Sequence, residues 1–311
     1  MNIVFMGTPD FAVPVLTMLH ETYPVKAVVT QPDRPVGRKK LLTAPPVKVE
    51  AERLGLPVFQ PEKIRTEWPQ IAELKPDLIV TAAFGQILPN ELLEVPQYKC
   101  INVHASLLPK YRGGAPIHQA IIDGETETGI TIMYMVEKLD AGDILSQVKV
   151  PIDSEDNVGS LHNKLSEAGA PLLIDTISKL VKGELTPIKQ DESKVSFARN
   201  ITREMERLDW TKDGYDLHNQ IRGLCPWPVA YTILEGKHLK VWKATTIQDE
   251  SLRTQPGEIV QMNDDGIVIS TGSGPLISVS ELQPAGKKRM DASSFIRGVG
   301  SRLALGTKLG E

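Results

Sequence analysis

The sequence predicts an α/β fold with a mostly parallel sheet, followed by a smaller domain built from β-strands. From the amino terminus to about residue 103, short apolar runs alternate with stretches of helical periodicity, which is typical of a parallel sheet with helices on both faces. The helical pattern fades after about residue 182. Beyond Trp210, short apolar runs bounded by Gly, Asp or Asn follow at the spacing of antiparallel strands in a small barrel.

Four apolar runs are predicted as the parallel strands, and three stretches between them as helices. The strands are Asn2–Met6, Lys26–Thr30, Leu78–Ala82 and Lys99–Val103, and the helices are Val13–His20, Lys48–Leu54 and Asn90–Leu93. Ligands of such a sheet gather at the carboxyl ends of its strands. The turn Gly7-Thr-Pro-Asp10 lacks the three-glycine dinucleotide pattern, so it can be a ligand turn or a helix start capped by Thr8 or Asp10.

The domain boundaries follow from a change in composition. Gly183-Glu-Leu-Thr-Pro187 and the polar run Lys189–Lys194 interrupt the helical pattern. We therefore expect a first domain over residues 1–188, a linker over 189–204 and a β-rich domain over 205–311. The strands predicted in the last domain are Ala230–Leu234, His238–Trp242, Gly257–Gln261 and Gly266–Ser270.

The composition excludes several classes of protein. With 311 residues, 41% hydrophobic and 24% charged, the chain can bury a full core and form two domains, but it has no membrane-spanning character. The first residues resemble a β-strand rather than a signal peptide, so we expect a cytoplasmic protein. Cys100 and Cys225 allow no metal cluster and at most one disulfide. The net charge of -4 argues against strong nonspecific binding of nucleic acid by the whole protein surface, although local basic patches could still bind it.

Asn102 and His104 are the first candidates for chemistry. They lie two residues apart at the end of a predicted strand, so their side chains leave the same face. Asparagine offers a donor to a carbonyl oxygen that becomes an oxyanion, and histidine offers a second donor or a proton carrier near neutral pH. Such a pair suits acyl transfer. The alternative is structural: Asn102 starts a turn and His104 fills a strand end.

A carboxylate partner for His104 is expected from the turn after the predicted strand Gly129–Met135. That turn carries Asp140 and Asp143. We favour Asp140 because it comes first after the strand and before Gly142, whereas Asp143 can also cap or form the turn. A buried carboxylate beside His104 would orient the ring and accept a proton at the end of the reaction.

Four segments of the chain resemble the signature segments of the 10-formyltetrahydrofolate-dependent formyltransferases. They are Asn102-Val-His104, Ser106-Leu-Leu-Pro109, Arg112-Gly-Gly-Ala-Pro-Ile117 and Leu139-Asp-Ala-Gly-Asp143. The resemblance implies that Asn102, His104 and Asp140 carry catalysis. It also implies 10-formyltetrahydrofolate as co-substrate, no metal, and a Rossmann-like, mostly parallel sheet domain followed by a smaller OB-like β-barrel domain that binds tRNA.

Within that family the chain most resembles the members that formylate initiator methionyl-tRNA for translation initiation. This likeness extends over nearly the whole chain, through Ile3–Ala12, Gln31–Pro35, Val241–Ala244 and Gln283–Lys288. The partners it implies are initiator methionyl-tRNA and the folate, with no membrane. We expect a monomer.

The folate site is predicted from the resemblance and from one apolar segment. The family implies a role for the Ser-Leu-Leu-Pro stretch, and the segment Ala83–Pro89 is expected to line an apolar pocket for the pteridine ring. The predicted folate-binding residues are Ser106, Leu107, Leu108, Pro109, Phe84, Gly85, Gln86, Ile87 and Leu88.

A basic loop is the predicted contact to nucleic acid. The segment Gln31–Pro46 is expected to be a long loop, and long loops inside compact domains are often functional. The resemblance implies that Arg38, Lys39 and Lys40 engage the acceptor end of tRNA, and Lys287 and Lys288 are expected to contact the tRNA from the last domain. The alternative is a solvated run of charges without a partner.

Three other functions stay open from the sequence. A formyltransferase acting on a small amine, such as a glycinamide nucleotide or an amino sugar nucleotide, would use the same Asn, His and Asp, but the basic loop and the last domain argue against it. A formyltetrahydrofolate hydrolase would replace the amine by water. A noncatalytic RNA-binding protein would have no need of the intact triad.

Overall fold

The computed structural model describes residues 1–37 and 39–310, which form two compact units. The first unit consists of Met1–Pro116, Glu127–Pro151 and His162–Phe197. The second consists of Ile117–Thr126, Ile152–Leu161 and the chain from Ala198 onward. Two short segments from inside the predicted first domain thus belong to the second unit.

The helices and strands of the chain have the following bounds. The helices are α1 (Val13–Thr22), α2 (Pro46–Arg53), α3 (Ile64–Glu67), α4 (Pro69–Ala72), α5 (Asn90–Leu93), α6 (Pro116–Ile122), α7 (Val158–Lys182), α8 (Gly214–Gly223) and α9 (Ala292–Arg297). The strands of the first unit are β1 (Ile3–Gly7), β2 (Val25–Val29), β3 (Arg34–Val36), β4 (Leu41–Thr43), β5 (Val58–Phe59), β6 (Leu78–Ala82), β7 (Cys100–His104), β8 (Glu127–Tyr134) and β9 (Ile144–Pro151).

The first unit contains a seven-stranded sheet in the order β5-β2-β1-β6-β7-β8-β9. The five strands from β5 to β7 are parallel, and β8 and β9 are antiparallel to their neighbours. All five residues of β1 and of β6 are buried, as expected for central strands covered on both faces. The predicted parallel-dominated sheet is confirmed. The loops after β6 and β7 leave the same edge, because these two strands are parallel neighbours.

The predicted long loop Gln31–Pro46 contains a short hairpin that was not predicted from the sequence. Strands β3 and β4 pair antiparallel, with Pro35 opposite Leu42. Proline has no N–H to donate, and a two-stranded ribbon with free edges tolerates it. Three apolar side chains of the hairpin are exposed: Val36 by 57%, Leu41 by 64% and Leu42 by 71%. Arg38, predicted to contact tRNA, lies outside the described residues.

The second unit is built on a separate antiparallel sheet. Its strands are β10 (Tyr231–Leu234), β11 (Lys237–Ile247), β12 (Ile259–Asn263), β13 (Gly266–Ile269), β14 (Leu276–Pro284) and β15 (Met290–Asp291). The order is β10-β11-β14-β13-β12, with β15 paired to β14. Apolar side chains from these strands and from α8 and α9 form one core, in which Trp210 and Phe295 are the largest members.

Two further features of the chain concern its cysteines and its helices. Cys100 and Cys225 are free and buried, and burial raises the pKa of both thiols. None of the helices formed by the described residues combines the length and the apolar character needed to span a lipid bilayer.

Candidate active site

Asn102 and His104 lie on β7, where the sheet changes from parallel to antiparallel pairing. On one side Asn102 is opposite Thr81 of the parallel strand β6, and on the other it is opposite Met133 of the antiparallel strand β8. His104 is 6% exposed, whereas Asn102 is only half-buried. The amide therefore stays open to a ligand while the imidazole is held inside the protein.

Thr81 fixes the orientation of the Asn102 side chain. The Thr81 hydroxyl donates to Asn102 Oδ1 over 2.7 Å, and Thr81 is 2% exposed. Since this contact uses the acceptor of the amide, the Nδ2 group, which can only donate, is left for a substrate oxygen. Sequence reasoning missed Thr81. The available signal was a hydroxyl residue near the carboxyl end of an otherwise apolar, central strand.

Both ring nitrogens of His104 face polar groups. Nε2 lies 3.0 Å from the Tyr111 carbonyl oxygen, and Nδ1 lies 3.7 Å from Asp140 Oδ2. A carbonyl oxygen only accepts, so Nε2 carries the proton and donates. In neutral His104, Nδ1 is therefore the nitrogen that can take up a proton, beside a carboxylate that would stabilise the resulting imidazolium. The geometry suits a proton carrier more directly than a second oxyanion donor, because the Nε2 donor is already engaged.

Asp140 is the carboxylate that the structure brings to His104. Its side chain is 11% exposed, and Oδ2 also accepts from the backbone N–H of Gly113 over 2.9 Å. Asp143 lies elsewhere in the same turn, where its carboxylate adds to burial in raising the pKa of the Tyr134 phenol. The pairing of β8 does not predict the contact between Asp140 and His104, because β8 runs antiparallel to β7 and ends beside Ile101 rather than beside His104.

The Ser106–Pro109 stretch forms a tightly braced turn directly after β7. The Ser106 hydroxyl donates to the Lys110 carbonyl over 2.6 Å, and Ser106 is 0% exposed. Thr131 donates its hydroxyl to the Ser106 carbonyl over 2.6 Å and accepts from the Leu108 N–H, and Gln147 donates to the Leu108 carbonyl. Leu108 is buried, whereas Leu107 and Pro109 are half-buried. The Ser106 hydroxyl is thus engaged within the turn, and its role in a folate site stays a prediction.

The predicted folate residues after β6, residues 84–88, differ in how exposed they are. Phe84 and Leu88 are 4% and 3% exposed and belong to the core, whereas Ile87 is 74% exposed and Gly85, with φ of 86°, forms the turn. Gln86 is occupied locally: its Oε1 accepts from the Ile64 N–H, and its Nε2 donates to the Pro61 carbonyl. Ile87 is therefore the side chain of this segment most available to an apolar ligand.

The described basic candidates are on segments of the chain other than those that carry Asn102, His104 and Asp140. Lys39 and Lys40 are exposed at the turn of the β3–β4 hairpin, where the Lys40 N–H donates to the Gly37 carbonyl and Lys40 has φ of 47°. Lys287 and Lys288 are exposed in the turn after β14 of the second unit. All four ammonium groups are accessible to a polyanion.

Taken together, the groups on the first unit provide an oriented amide donor, a buried imidazole and a buried carboxylate. They lie beside two turns that leave the same edge of the sheet. Within the described part of the chain, no three His, Cys, Asp or Glu side chains approach one another closely enough to hold a metal ion. The Asn102 amide can stabilise an oxyanion, and His104 with Asp140 can move one proton. Acyl transfer to an amine requires both.

The fold and this group of residues define an acyl-transfer enzyme of the formyltransferase type, and the chain belongs to the formyl transferase family. The family profile described as "Formyl transferase" matches residues 1–177, and the one described as "Formyl transferase, C-terminal domain" matches residues 200–300.

Two relatives with full-length similarity carry the same name. A "Methionyl-tRNA formyltransferase" from Halalkalibacterium halodurans is 63% identical over 313 residues, covering 100% of this chain and 98% of that protein. Another from a Geobacillus species is 61% identical over 313 residues with the same coverage of both chains.

Solved structures with the same fold are more distant in sequence. An N-formyltransferase from Helicobacter canadensis, in complex with folinic acid and dTDP-3-aminofucose, has a TM-score of 0.70 at 20% identity, covering 91% of this chain and 98% of that one. HypX from Aquifex aeolicus, in complex with tetrahydrofolic acid, has a TM-score of 0.63 at 19% identity. The match covers 95% of this chain but 47% of HypX, so this chain spans about half the length of that protein.

Proposed function

We propose that this chain transfers the formyl group of 10-formyltetrahydrofolate to the free amino group of methionine on initiator methionyl-tRNA, for translation initiation. The observation that carries the proposal is full-length identity of 63% and 61% to proteins named for this activity. The grouping of Asn102, His104 and Asp140 supports it independently, because formyl transfer to an amine needs a donor for the oxyanion and a route for one proton.

The reaction forms one bond and breaks another at the formyl carbon. The methionine amine attacks that carbon, and the carbonyl oxygen becomes an oxyanion in a tetrahedral intermediate. Asn102 donates to this oxygen through Nδ2, which Thr81 leaves free by binding Oδ1. Collapse of the intermediate breaks the bond to folate N10, giving formylmethionyl-tRNA and tetrahydrofolate.

His104 and Asp140 move the proton in this scheme. The attacking amine loses one proton, and the departing N10 gains one. Nδ1 of His104 takes the proton because Nε2 is held as a donor by the Tyr111 carbonyl. Asp140 stabilises the imidazolium across 3.7 Å, and His104 or a water passes the proton to N10.

The folate is proposed to bind at the edge of the sheet formed by the turns after β6 and β7. Ser106, Leu107, Leu108 and Pro109 shape one wall, and Phe84, Gly85, Gln86, Ile87 and Leu88 shape the other. The exposed Ile87 offers the apolar surface that a pteridine ring needs, and the buried Phe84 and Leu88 hold the segment in place.

Transfer RNA is proposed to bind through exposed basic groups of both units. Lys39 and Lys40 at the turn of the β3–β4 hairpin contact the acceptor end together with Arg38, and Lys287 and Lys288 contact the backbone from the second unit. The first domain, residues 1–188, would carry the chemistry, and the domain over 205–311 would be an OB-like barrel that binds tRNA, joined by residues 189–204. We also propose that the protein works as a monomer in the cytoplasm.

The test follows labelled formyl groups from 10-formyltetrahydrofolate to three acceptors. The purified protein is offered methionyl-tRNA, a small amine such as an amino sugar nucleotide, and water alone. We expect the label in an acid-precipitable tRNA fraction, with little release as formate. Label found mainly in the small amine would indicate a small-amine formyltransferase instead, and label found mainly in formate would indicate a formyltetrahydrofolate hydrolase.

A further inference from the structure

Gln190 lies in the segment predicted as a linker, yet its side chain binds the turn that carries Asp140. Its Nε2 donates to the Asp140 carbonyl over 2.7 Å and to the Gly142 carbonyl over 2.8 Å. Its Oε1 accepts from the Arg112 guanidinium, at 3.1 Å from Nε and 2.8 Å from Nη2. One side-chain amide thus joins the Asp140 turn to the loop that contains Arg112.

The Asp140 turn requires such support. Asp140 has φ of 48°, a left-handed conformation that residues with a Cβ adopt less readily than glycine. Bonds from neighbouring side chains to this backbone stabilise the conformation. The two bonds from Gln190 act on the backbone at Asp140 itself and two residues further on, which is where rotation would carry the carboxylate away from His104.

Arg112 connects the same side chain to the other partners of the triad. The guanidinium is 0% exposed, and it donates to Gln190 and to Glu192. On either side of Arg112 in the chain, Tyr111 provides the carbonyl that holds His104, and Gly113 provides the N–H that holds the Asp140 carboxylate. A shift of Arg112 would therefore disturb both ends of the His104–Asp140 pair.

Residues 190–196 hold this loop by further bonds. The Arg112 N–H donates to the Ser196 carbonyl over 2.9 Å, and the Tyr111 N–H donates to the Ser196 hydroxyl over 2.9 Å. Glu192 also accepts from Lys138, which precedes Asp140 by two residues. Gln190 is the member of this segment that contacts the Asp140 backbone directly.

We propose that Gln190 is a positioning residue for the reaction: through the two Nε2 bonds to the Asp140 turn it holds the Asp140 carboxylate against His104. The inference rests on the proposed catalytic role of Asp140. Loss of the two Nε2 bonds should lower kcat by about 10- to 100-fold, the effect of a displacement of about 1 Å at a reacting group. KM for methionyl-tRNA and for the folate should change little.

Two variants separate positioning from folding. Gln190→Glu keeps the size of the side chain and the acceptors for Arg112 but removes both donors to the turn. Gln190→Met removes donors and acceptors without adding charge. Lys189→Ala is the matched control, since Lys189 is the exposed neighbour. We expect both Gln190 variants to lose kcat and at least Gln190→Glu to melt like the parent, whereas Lys189→Ala keeps full activity.

A double variant makes the readout specific. If Gln190 acts through Asp140, then Gln190→Glu combined with Asp140→Asn should be no slower than Asp140→Asn alone, because the group to be positioned is already disabled and the acceptors for Arg112 are kept. A purely structural role would multiply the two losses instead. Multiplied losses, or parental kcat in folded Gln190→Glu and Gln190→Met, would overturn the inference.

The outcome is distinguishable from a failure of the proposed function. The comparison uses whichever acceptor the parent protein formylates, be it methionyl-tRNA, a small amine or water. Should the parent prefer an acceptor other than methionyl-tRNA, the proposed function is wrong, yet the ratio of variant to parent still tests the role of Gln190.

Discussion

Thr81 and Asn102 face each other across two parallel strands, and the threonine hydroxyl donates to Asn102 Oδ1 over 2.7 Å. The bond assigns the two ends of the amide: its oxygen points to the protein, and its nitrogen is available to a substrate. A buried hydroxyl on a neighbouring strand thereby decides which atom of Asn102 can act on an oxyanion.

Replacing Thr81 by valine tests this assignment. Thr81→Val keeps the shape but removes the donor, so the Asn102 amide can turn and kcat should fall about 10-fold, corresponding to one hydrogen bond of about 1.4 kcal/mol. Thr81→Ser should retain most of the activity. The matched control is Thr128→Val, because Thr128 is also buried and no described group pairs with its hydroxyl. Equal activity of Thr81→Val and Thr128→Val in a steady-state assay would contradict the role of Thr81.

The carboxylates of Asp140 and Asp143 should differ sharply on substitution. We expect His104→Ala and Asp140→Asn each to lower kcat by about two to four orders of magnitude, the scale of lost acid–base and electrostatic catalysis. Asp143→Asn should retain near-parental kcat, since Asp143 lies beside Tyr134. Melting temperatures and circular dichroism show whether the variants are folded. Comparable losses at positions 140 and 143 would contradict the distinct role proposed for Asp140.

Neutralising a lysine of the hairpin should weaken tRNA binding and its dependence on salt. Lys40→Asn suits the left-handed backbone at this position, and each lost phosphate contact should reduce the log–log salt slope by about 0.7 to 0.9. Lys75→Asn is the control, because Lys75 is also exposed and has φ of 50°. Filter binding at several salt concentrations measures both slopes. Arg38→Ala should act like Lys40→Asn, and unchanged slopes in both would leave the hairpin as a solvated run of charges.

The second unit should lose stability in mildly acidic solution because of His218. Burial first, and then the nearby Arg222, lower the pKa of His218 from 6.5. The unfolded chain therefore takes up a proton at a higher pH than the folded one, so stability is retained above pH 6.5 and decreases as the pH falls below it. Thermal melting of the full chain between pH 8 and 5, compared with His218→Gln, should show a steeper decline for the parent. Parallel curves would exclude His218 as the cause.

Local patterns in the sequence predicted the central strands well. The run Leu78–Ala82 has the predicted bounds, and the strands at β1 and β7 differ from the predicted ones by one residue at each end. These strands are mainly apolar, as expected in a parallel sheet that is covered on both faces. Helix α5 also has its predicted bounds. The hairpin β3–β4 was missed because its strands are three residues long and fully exposed, so they leave no pattern of burial.

Local sequence patterns identify only some residues of the candidate site. Asn102, His104 and Asp140 were found as residue types suited to the chemistry. Thr81, the Tyr111 carbonyl and Gln190 were not, because their importance comes from partners far along the chain or from a backbone atom that every residue has. No local rule predicts that an amide in a polar run will bind a carbonyl 50 residues earlier.

The position of Gln190 along the chain sets the order in which the site can be completed during synthesis. A ribosome releases Asn102, His104 and Asp140 first, then the 25 residues of α7, and only afterwards Gln190. A nascent chain that ends with α7 has the three proposed catalytic residues and lacks Gln190, which binds the Asp140 turn. The site should therefore become fully active only late in translation. Truncated products that stop before Gln190 should lose more of the full chain's rate of formyl transfer than of its affinity for the folate.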